Sequence, residues 1–234
     1  MSQNNTEKNK AHNKLQPEPL DLAGHMAMAF GTPIVAFQWP DSDRLNKELA
    51  QIILGKEKEN AGVTRSNVNG WHSTVDFFSW QNEGVEQLGK RVEQMLMGVT
   101  RAVTLAPDEG NTRSFKYRID AWANINRHGA YNTVHNHPNC LWSGVYYVAA
   151  GSPDKSLPHN GKLELLDPRV GTNAFYTKGT IFEARYIIDP LPGLMVMFPA
   201  WLNHFVHPFY GEGDRISIAF NIVTTETPAA EQLA

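Results

Sequence analysis

The chain has 234 residues, with 21 Lys and Arg against 24 Asp and Glu, a formal net charge of −3 and one cysteine, Cys140. Its basic residues are scattered rather than gathered in a patch, which speaks against a nucleic-acid partner, and one cysteine rules out an internal disulfide and fits a reducing, cytoplasmic setting. No apolar run approaches the roughly 20 residues of a membrane-spanning helix, and the N-terminal stretch lacks the apolar segment of a secretory signal.

Residues 1–20 are polar and carry almost no large apolar side chains, so burial cannot offset the entropy of ordering them. A disordered leader is expected there, followed by a single domain over 21–234. The run "MAFGTPIVAFQWP" predicts a strand through Ile34, Val35, Phe37 and Trp39 that stops at Pro40, which has no N–H to give to a ladder. "DSDRLNKELAQIILGKEKE" then predicts a helix capped by Asp41 or Ser42, with Leu45, Leu49, Ile52 and Ile53 on one face. In "NGWHSTVDFF", Trp71 and His72 fit either a strand extending the sheet or an active-site rim. Val85, Leu88, Val92, Met95, Leu96, Val99 and Val103 recur at steps of three and four, the stripe of an amphipathic helix that covers a sheet.

From about Phe115 the pattern changes. "SFKYRIDAWANIN", "LWSGVYYVAA", "GKLELLDP", "TIFEARYII", "GLMVMFPAW" and "RISIAFNIVT" are short β-prone runs separated by Gly, Pro, Asn and Asp. Their spacing is that of a sandwich or barrel. The expected fold is mainly β, a jelly roll with its core over about 115–225 and the two earlier helices as outer support.

Side chains two apart on a strand point the same way, so "HNHP" offers the imidazoles of His135 and His137 to one point. A metal would need a third ligand, for which "FPAWLNHFVHP" supplies His204 and His207. Beyond them, Arg215 and Ser217 share one face of the last strand. Trp122, Asn124 and Asn126 likewise share a face, which could line a cavity, and Ser143 and Tyr147 could face inward. Asp167, in "LELLDP", is the one carboxylate to check as a further ligand, whereas His12, His25, His72, His128 and His159 have no partner spacing.

Taken in order, "HNHP" with "SGVYYV", then "PGLMVMFPAWLNHFVHP" with "RISIAFN", resemble the Fe(II)- and 2-oxoglutarate-dependent oxygenases, and within them a group of unassigned substrate that carries H-x-H followed by a distal His. The resemblance spans about Trp122 to Val223. It implies a double-stranded β-helix of cupin-like form, with His135, His137 and His204 as iron ligands and His207 on the pocket wall or surface. It further implies Arg215 on the distal carboxylate of 2-oxoglutarate, with a hydrogen bond from Ser217, and Tyr131, four residues before the first ligand, reaching the keto acid. Asn124 is a candidate for a further cosubstrate contact. The wider superfamily usually places a carboxylate where this chain has His137, so that residue is either the second ligand or a neighbour of the metal with water in the vacant position.

The implied activity uses Fe(II), 2-oxoglutarate and dioxygen to hydroxylate a small molecule, an amino acid or a peptide side chain, releasing succinate and CO2. Two alternatives stay open: a three-His dioxygenase of cupin type that uses no keto acid, and a non-catalytic binding module on the same barrel. Arg215 with Ser217 separates the first alternative, since a cupin has no reason to place a carboxylate clamp there. An exposed barrel edge leaves room for a homodimer.

Overall fold

Successive side chains of a strand point to opposite faces, and in the runs 119–126 and 215–222 apolar residues fall on one face while the other carries most of the polar ones. The structure is a computed structural model that describes residues 30–103, 116–171 and 185–224. The expected leader over 1–20 lies outside the described residues.

In chain order the elements are β1 (Val35–Gln38), α1 (Asp43–Glu59), β2 (Asn67–Val68), β3 (Trp71–His72), α2 (Glu83–Val103), β4 (Tyr117–Asn126) and β5 (Ala130–His135). There follow β6 (Trp142–Pro153), β7 (Leu163–Leu166), β8 (Arg185–Ile188), β9 (Leu194–Pro199), β10 (His204–Phe209) and β11 (Gly211–Thr224). They form two antiparallel sheets, a six-stranded one in the order β1-β9-β6-β11-β4-β3 and a five-stranded one in the order β2-β5-β10-β7-β8. This is the jelly roll that the spacing of the β-prone runs predicts.

The six-stranded sheet has two different faces. Ile216, Ile218, Phe220 and Ile222 of β11, with Ala121, Ala123 and Ile125 of β4 and Met195 and Met197 of β9, are buried with the helices in one apolar cluster. The predicted stripe of α2 supplies the helical side of it: Val85, Leu88, Val92, Met95, Leu96 and Val99 are buried, and only Val103, at the end, is exposed. From α1 come Leu45, Leu49 and Ile53, with Ile52 half-buried against them. The residues between these positions, Val196 and Phe198 of β9 and Tyr147 of β6, point between the sheets and join Leu163, Leu165 and Leu202 in a second cluster.

One close approach fixes a residue type. A Cβ on Gly144 of β6 would lie 2.3 Å from the Phe220 ring and 2.7 Å from the Val196 carbonyl oxygen, so Phe220 fills the place a side chain would need.

One local expectation comes out differently. Ser42 stands at the N-cap of α1 but makes no capping bond. Its hydroxyl donates to the Trp39 carbonyl (3.0 Å) and accepts from Arg91 of α2 (2.8 Å), whose guanidinium also reaches the Tyr146 hydroxyl (3.3 Å) and lies over the Trp39 ring. Tyr146 in turn donates to Asn46 (2.7 Å), so Arg91 is held by neutral acceptors that tie α1, α2 and β6 together. Strand β10 runs through Pro208. Its pairing tolerates the missing N–H because the Pro208 carbonyl still accepts from Gly161 (3.1 Å) and the ladder shifts register between Val206 and Phe209.

Candidate functional site

Strand β5 ends at His135 and β10 begins at His204, and these two residues are directly opposite each other in the antiparallel pair. His137 lies two residues past the end of β5, where its backbone N–H donates to the Ala200 carbonyl (2.9 Å) and anchors the loop. The three rings meet with centroids 4.3 Å apart for His135 and His204, 5.1 Å for His135 and His137, and 5.2 Å for His137 and His204. One ligand atom from each lies within 4.8 Å of the others, a group that could hold a metal ion.

The orientation of two of these rings is fixed from behind. His135 Nδ1 donates to the Thr133 carbonyl (2.7 Å) and His204 Nδ1 to the Leu202 carbonyl (2.9 Å), which leaves a lone pair on each Nε2. Ser66 Oγ stands 3.4 Å from His135 Nε2. Phe198 packs edge-on against His204 (4.9 Å) and Trp122 lies 5.6 Å from His137. Burial first, then the neighbouring His135, pushes His204 down to about 3 and His137 to about 4, and burial lowers His135 against the opposing bond to Thr133. All three are neutral at ordinary pH, the state in which imidazole binds a divalent ion.

The triad opens into a cavity of about 420 Å³. Alternation along β11 turns Arg215, Ser217, Ala219 and Asn221 toward it, and alternation along β4 does the same for Trp122 and Asn124. Arg215 is 2% exposed, its Nε donates to the Gly161 carbonyl (2.9 Å), and its guanidinium carbon lies 5.5 Å from the centre of the Tyr147 ring. Among the described residues no carboxylate pairs with it, and burial lowers its pKa from the usual value. A buried guanidinium without an anion is costly on its own. The Tyr147 hydroxyl and Asn124 Oδ1 are likewise buried without a partner, and burial raises the Tyr147 phenol to about 12. Such a set fits a small carboxylate that also offers polar atoms to its neighbours.

Of the residues singled out from the sequence, His135, His137, His204, Arg215, Ser217 and Asn124 all line this one cavity. Tyr131 does not stand among the lining residues; its neighbour Asn132 does. The ladder between β5 and β10 shifts register between the pairs His204–His135 and Val206–Asn132, so Asn132 and His135, three apart, reach the same side and simple counting back by four fails. His207 bonds Glu164 (2.8 Å), and both oxygens of Asp167 are taken by Arg169 (2.6 and 3.0 Å).

His72, which the sequence left between a strand extending the sheet and an active-site rim, satisfies both readings: it lies in a strand and lines the cavity. It enters through β3, which pairs with β4 and sets His72 opposite Asn124. The ring stacks on Trp122 (5.5 Å, 9° between planes), Nδ1 donates to the Ser73 carbonyl (2.5 Å), and burial foremost lowers its pKa. Asn132, Asn221 and Arg65 also line the cavity. For Asn221, the two-residue step from Arg215 along the last strand would have found it.

Residues 120–221 match the protein-family model described as "Putative 2OG-Fe(II) oxygenase". The search of the curated proteins gives no match. Among solved structures, a Pseudomonas putida prolyl-4-hydroxylase is similar at a TM-score of 0.56 and 16% identity, over 88% of this chain and 96% of that one. A viral collagen prolyl hydroxylase from Paramecium Bursaria Chlorella virus-1, solved as its 2OG complex, gives 0.54 and 13%, over 83% and 96%. HygX from Streptomyces hygroscopicus, solved with nickel and 2-oxoglutarate bound, gives 0.54 and 12%, over 83% of each chain. At these identities the likeness is one of fold.

Proposed function

We infer that this chain acts as a 2-oxoglutarate- and Fe(II)-dependent oxygenase, the family whose model its residues 120–221 match, and that it hydroxylates a small molecule, an amino acid or a peptide side chain. The observation that carries the reading is a pair of incomplete sites in one cavity: three neutral imidazoles whose ligand atoms lie within 4.8 Å of one another, and a buried arginine that no carboxylate among the described residues pairs with.

His135, His137 and His204 would hold the metal on one side and leave its other positions to ligands. Bound there, Fe(II) with 2-oxoglutarate and dioxygen supplies the oxidising power, releasing succinate and CO2. The protein's own part is positional. Arg215 offers its planar fork to the distal carboxylate of the keto acid and Ser217 adds a hydroxyl. Tyr147 keeps its proton throughout the working pH range and so serves only as a donor or a neutral acceptor. Val145, Leu163, Phe198 and Val206 form the apolar wall that limits water around the triad.

An imidazole-only ligand set favours one other reading, a dioxygenase of cupin type that needs no keto acid. One titration separates the two. Anaerobic addition of Fe(II) and then 2-oxoglutarate to the apo-protein is expected to give the weak visible charge-transfer band of a chelated keto acid, lost or at least tenfold harder to saturate in Arg215→Ala. Iron binding with no band in either protein would overturn the oxygenase reading in favour of the keto-acid-independent one.

A further inference from the structure

The cavity has a second arginine that the reaction as described does not use. Arg65 lines the same space from the opposite side, just before the edge strand β2 of the five-stranded sheet, and it is exposed at the mouth. Arg215, by contrast, lies on β11 of the six-stranded sheet and is buried.

The loop that carries Arg65 is stitched in place. Its backbone N–H donates to Asn67 Oδ1 (2.7 Å), and the Asn67 amide donates onward to the carbonyls of Val63 (3.2 Å) and Gly70 (2.8 Å). The next residue, Ser66, accepts from the Asn132 amide (3.2 Å) and touches His135, and its carbonyl accepts from the Thr133 N–H (2.9 Å). Arg65 is therefore fixed one residue from a side chain in contact with the triad. Its charge is felt inside, being one of the causes that depress His72.

The charge balance around it is one-sided. The lining side chains include two arginines and four histidines, and no Asp, Glu or Lys, although the chain as a whole carries a net charge of −3. Among the described residues Arg65 has no carboxylate partner, whereas Arg118, Arg169 and Arg185 each have one and Arg127 has two. A cationic substrate would meet no anion anywhere in this space.

We propose that Arg65 reads the primary substrate, and that this substrate carries a carboxylate which Arg65 holds at the mouth while its reactive carbon reaches the triad. The proposal rests on the oxygenase reading above, in which the deeper Arg215 is already taken by the cosubstrate. One guanidinium, with neither lysine nor a second arginine beside it at the mouth, matches a planar monoanion, to which its fork can bond twice.

The test uses the full chain loaded with Mn(II) and 2-oxoglutarate under nitrogen, and three probes that differ mainly in charge: 3-phenylpropionate, 3-phenylpropanamide and 3-phenylpropylamine. By calorimetry the carboxylate is expected to bind at least tenfold tighter than the amide, and the amine not at all. Arg65→Ala, an exposed substitution, should erase that preference, and Arg65→Lys should restore part of it. Equal affinity for carboxylate and amide, no binding of the carboxylate, or a preference undiminished in Arg65→Ala would each overturn the proposal. A parallel titration of 2-oxoglutarate without probes, in wild type and Arg215→Ala, reads the cosubstrate site by itself. A carboxylate preference that depends on Arg215 and not on Arg65 defeats the present inference while the oxygenase reading stands; Arg65-dependent preference without any 2-oxoglutarate binding does the reverse.

Discussion

The two faces of strand β11 draw alternate residues from one run of eight, 215–222, by opposite rules. Toward the helices, Ile216, Ile218, Phe220 and Ile222 are apolar and fully packed. Toward the cavity stand Arg215, Ser217, Ala219 and Asn221, three of them polar, and Asn221 Oδ1 is buried without a hydrogen-bond partner. A rigid sheet can hold such unsatisfied groups because its other face supplies the burial that stabilises it. Stability and function thus occupy alternate residues of one strand.

The comparison is broken most sharply by changing one residue on each side. His204→Ala, on the cavity side, is expected to reduce bound Fe(II) from one equivalent to background, read by metal analysis after anaerobic loading, with little change in the denaturant midpoint of the apo-protein. Phe220→Ala, on the helix side, should cost about 3–5 kcal/mol in urea unfolding, the range for a large buried aromatic. If the His204 variant unfolded like the Phe220 variant, the division of labour would be wrong.

A pH series sharpens the same contrast. The imidazoles of His135, His137 and His204 have pKa values below 6.5 in the folded protein, with His137 near 4 and His204 near 3. Between those values and about 6.5 the unfolded chain binds protons that the folded one does not, so stability rises with pH over that interval and is lost as pH falls through it. The apo-protein should therefore melt at a lower temperature at pH 5 than at pH 7.5, and His204→Ala should flatten that slope. The smallest effect belongs to Ser217→Ala, where loss of one hydroxyl should raise the KM for 2-oxoglutarate about fivefold, the worth of one hydrogen bond near 1 kcal/mol, with the melting temperature held.

How much of this was legible beforehand follows from how far each signal reaches along the chain. The stripe of α2 and the spacing of the short β-prone runs are local patterns, and from them came the jelly roll and its outer helices. Helix α1 was legible, but the use of Ser42 to receive Arg91 rather than to cap depends on a residue 49 positions away. Strand β10 contains Pro208, whose tolerance there depends on Gly161, a residue 47 positions away. In the site, the His135–His137 pair was legible from spacing, whereas the choice of His204 over His207 came through the family resemblance. A register shift that no periodicity records puts Asn132 rather than Tyr131 in the lining, His72 was legible only as one of two alternatives, and Arg65 enters beside a short strand that sequence cannot assign.

Gly144 has a consequence for how such a sequence can change over generations. Because the Phe220 ring stands where its side chain would be, neither position is free to drift alone: enlarging 144 first causes a clash, and shrinking 220 first opens a void beneath the helices. The two can be exchanged only together, as one large and one small residue. Both also flank cavity residues, Ser143 and Val145 on one strand and Ala219 and Asn221 on the other. A lineage that altered its substrate by mutating those neighbours would therefore inherit the Gly–Phe pair unchanged, and the pair would mark descent more faithfully than the residues that touch the substrate.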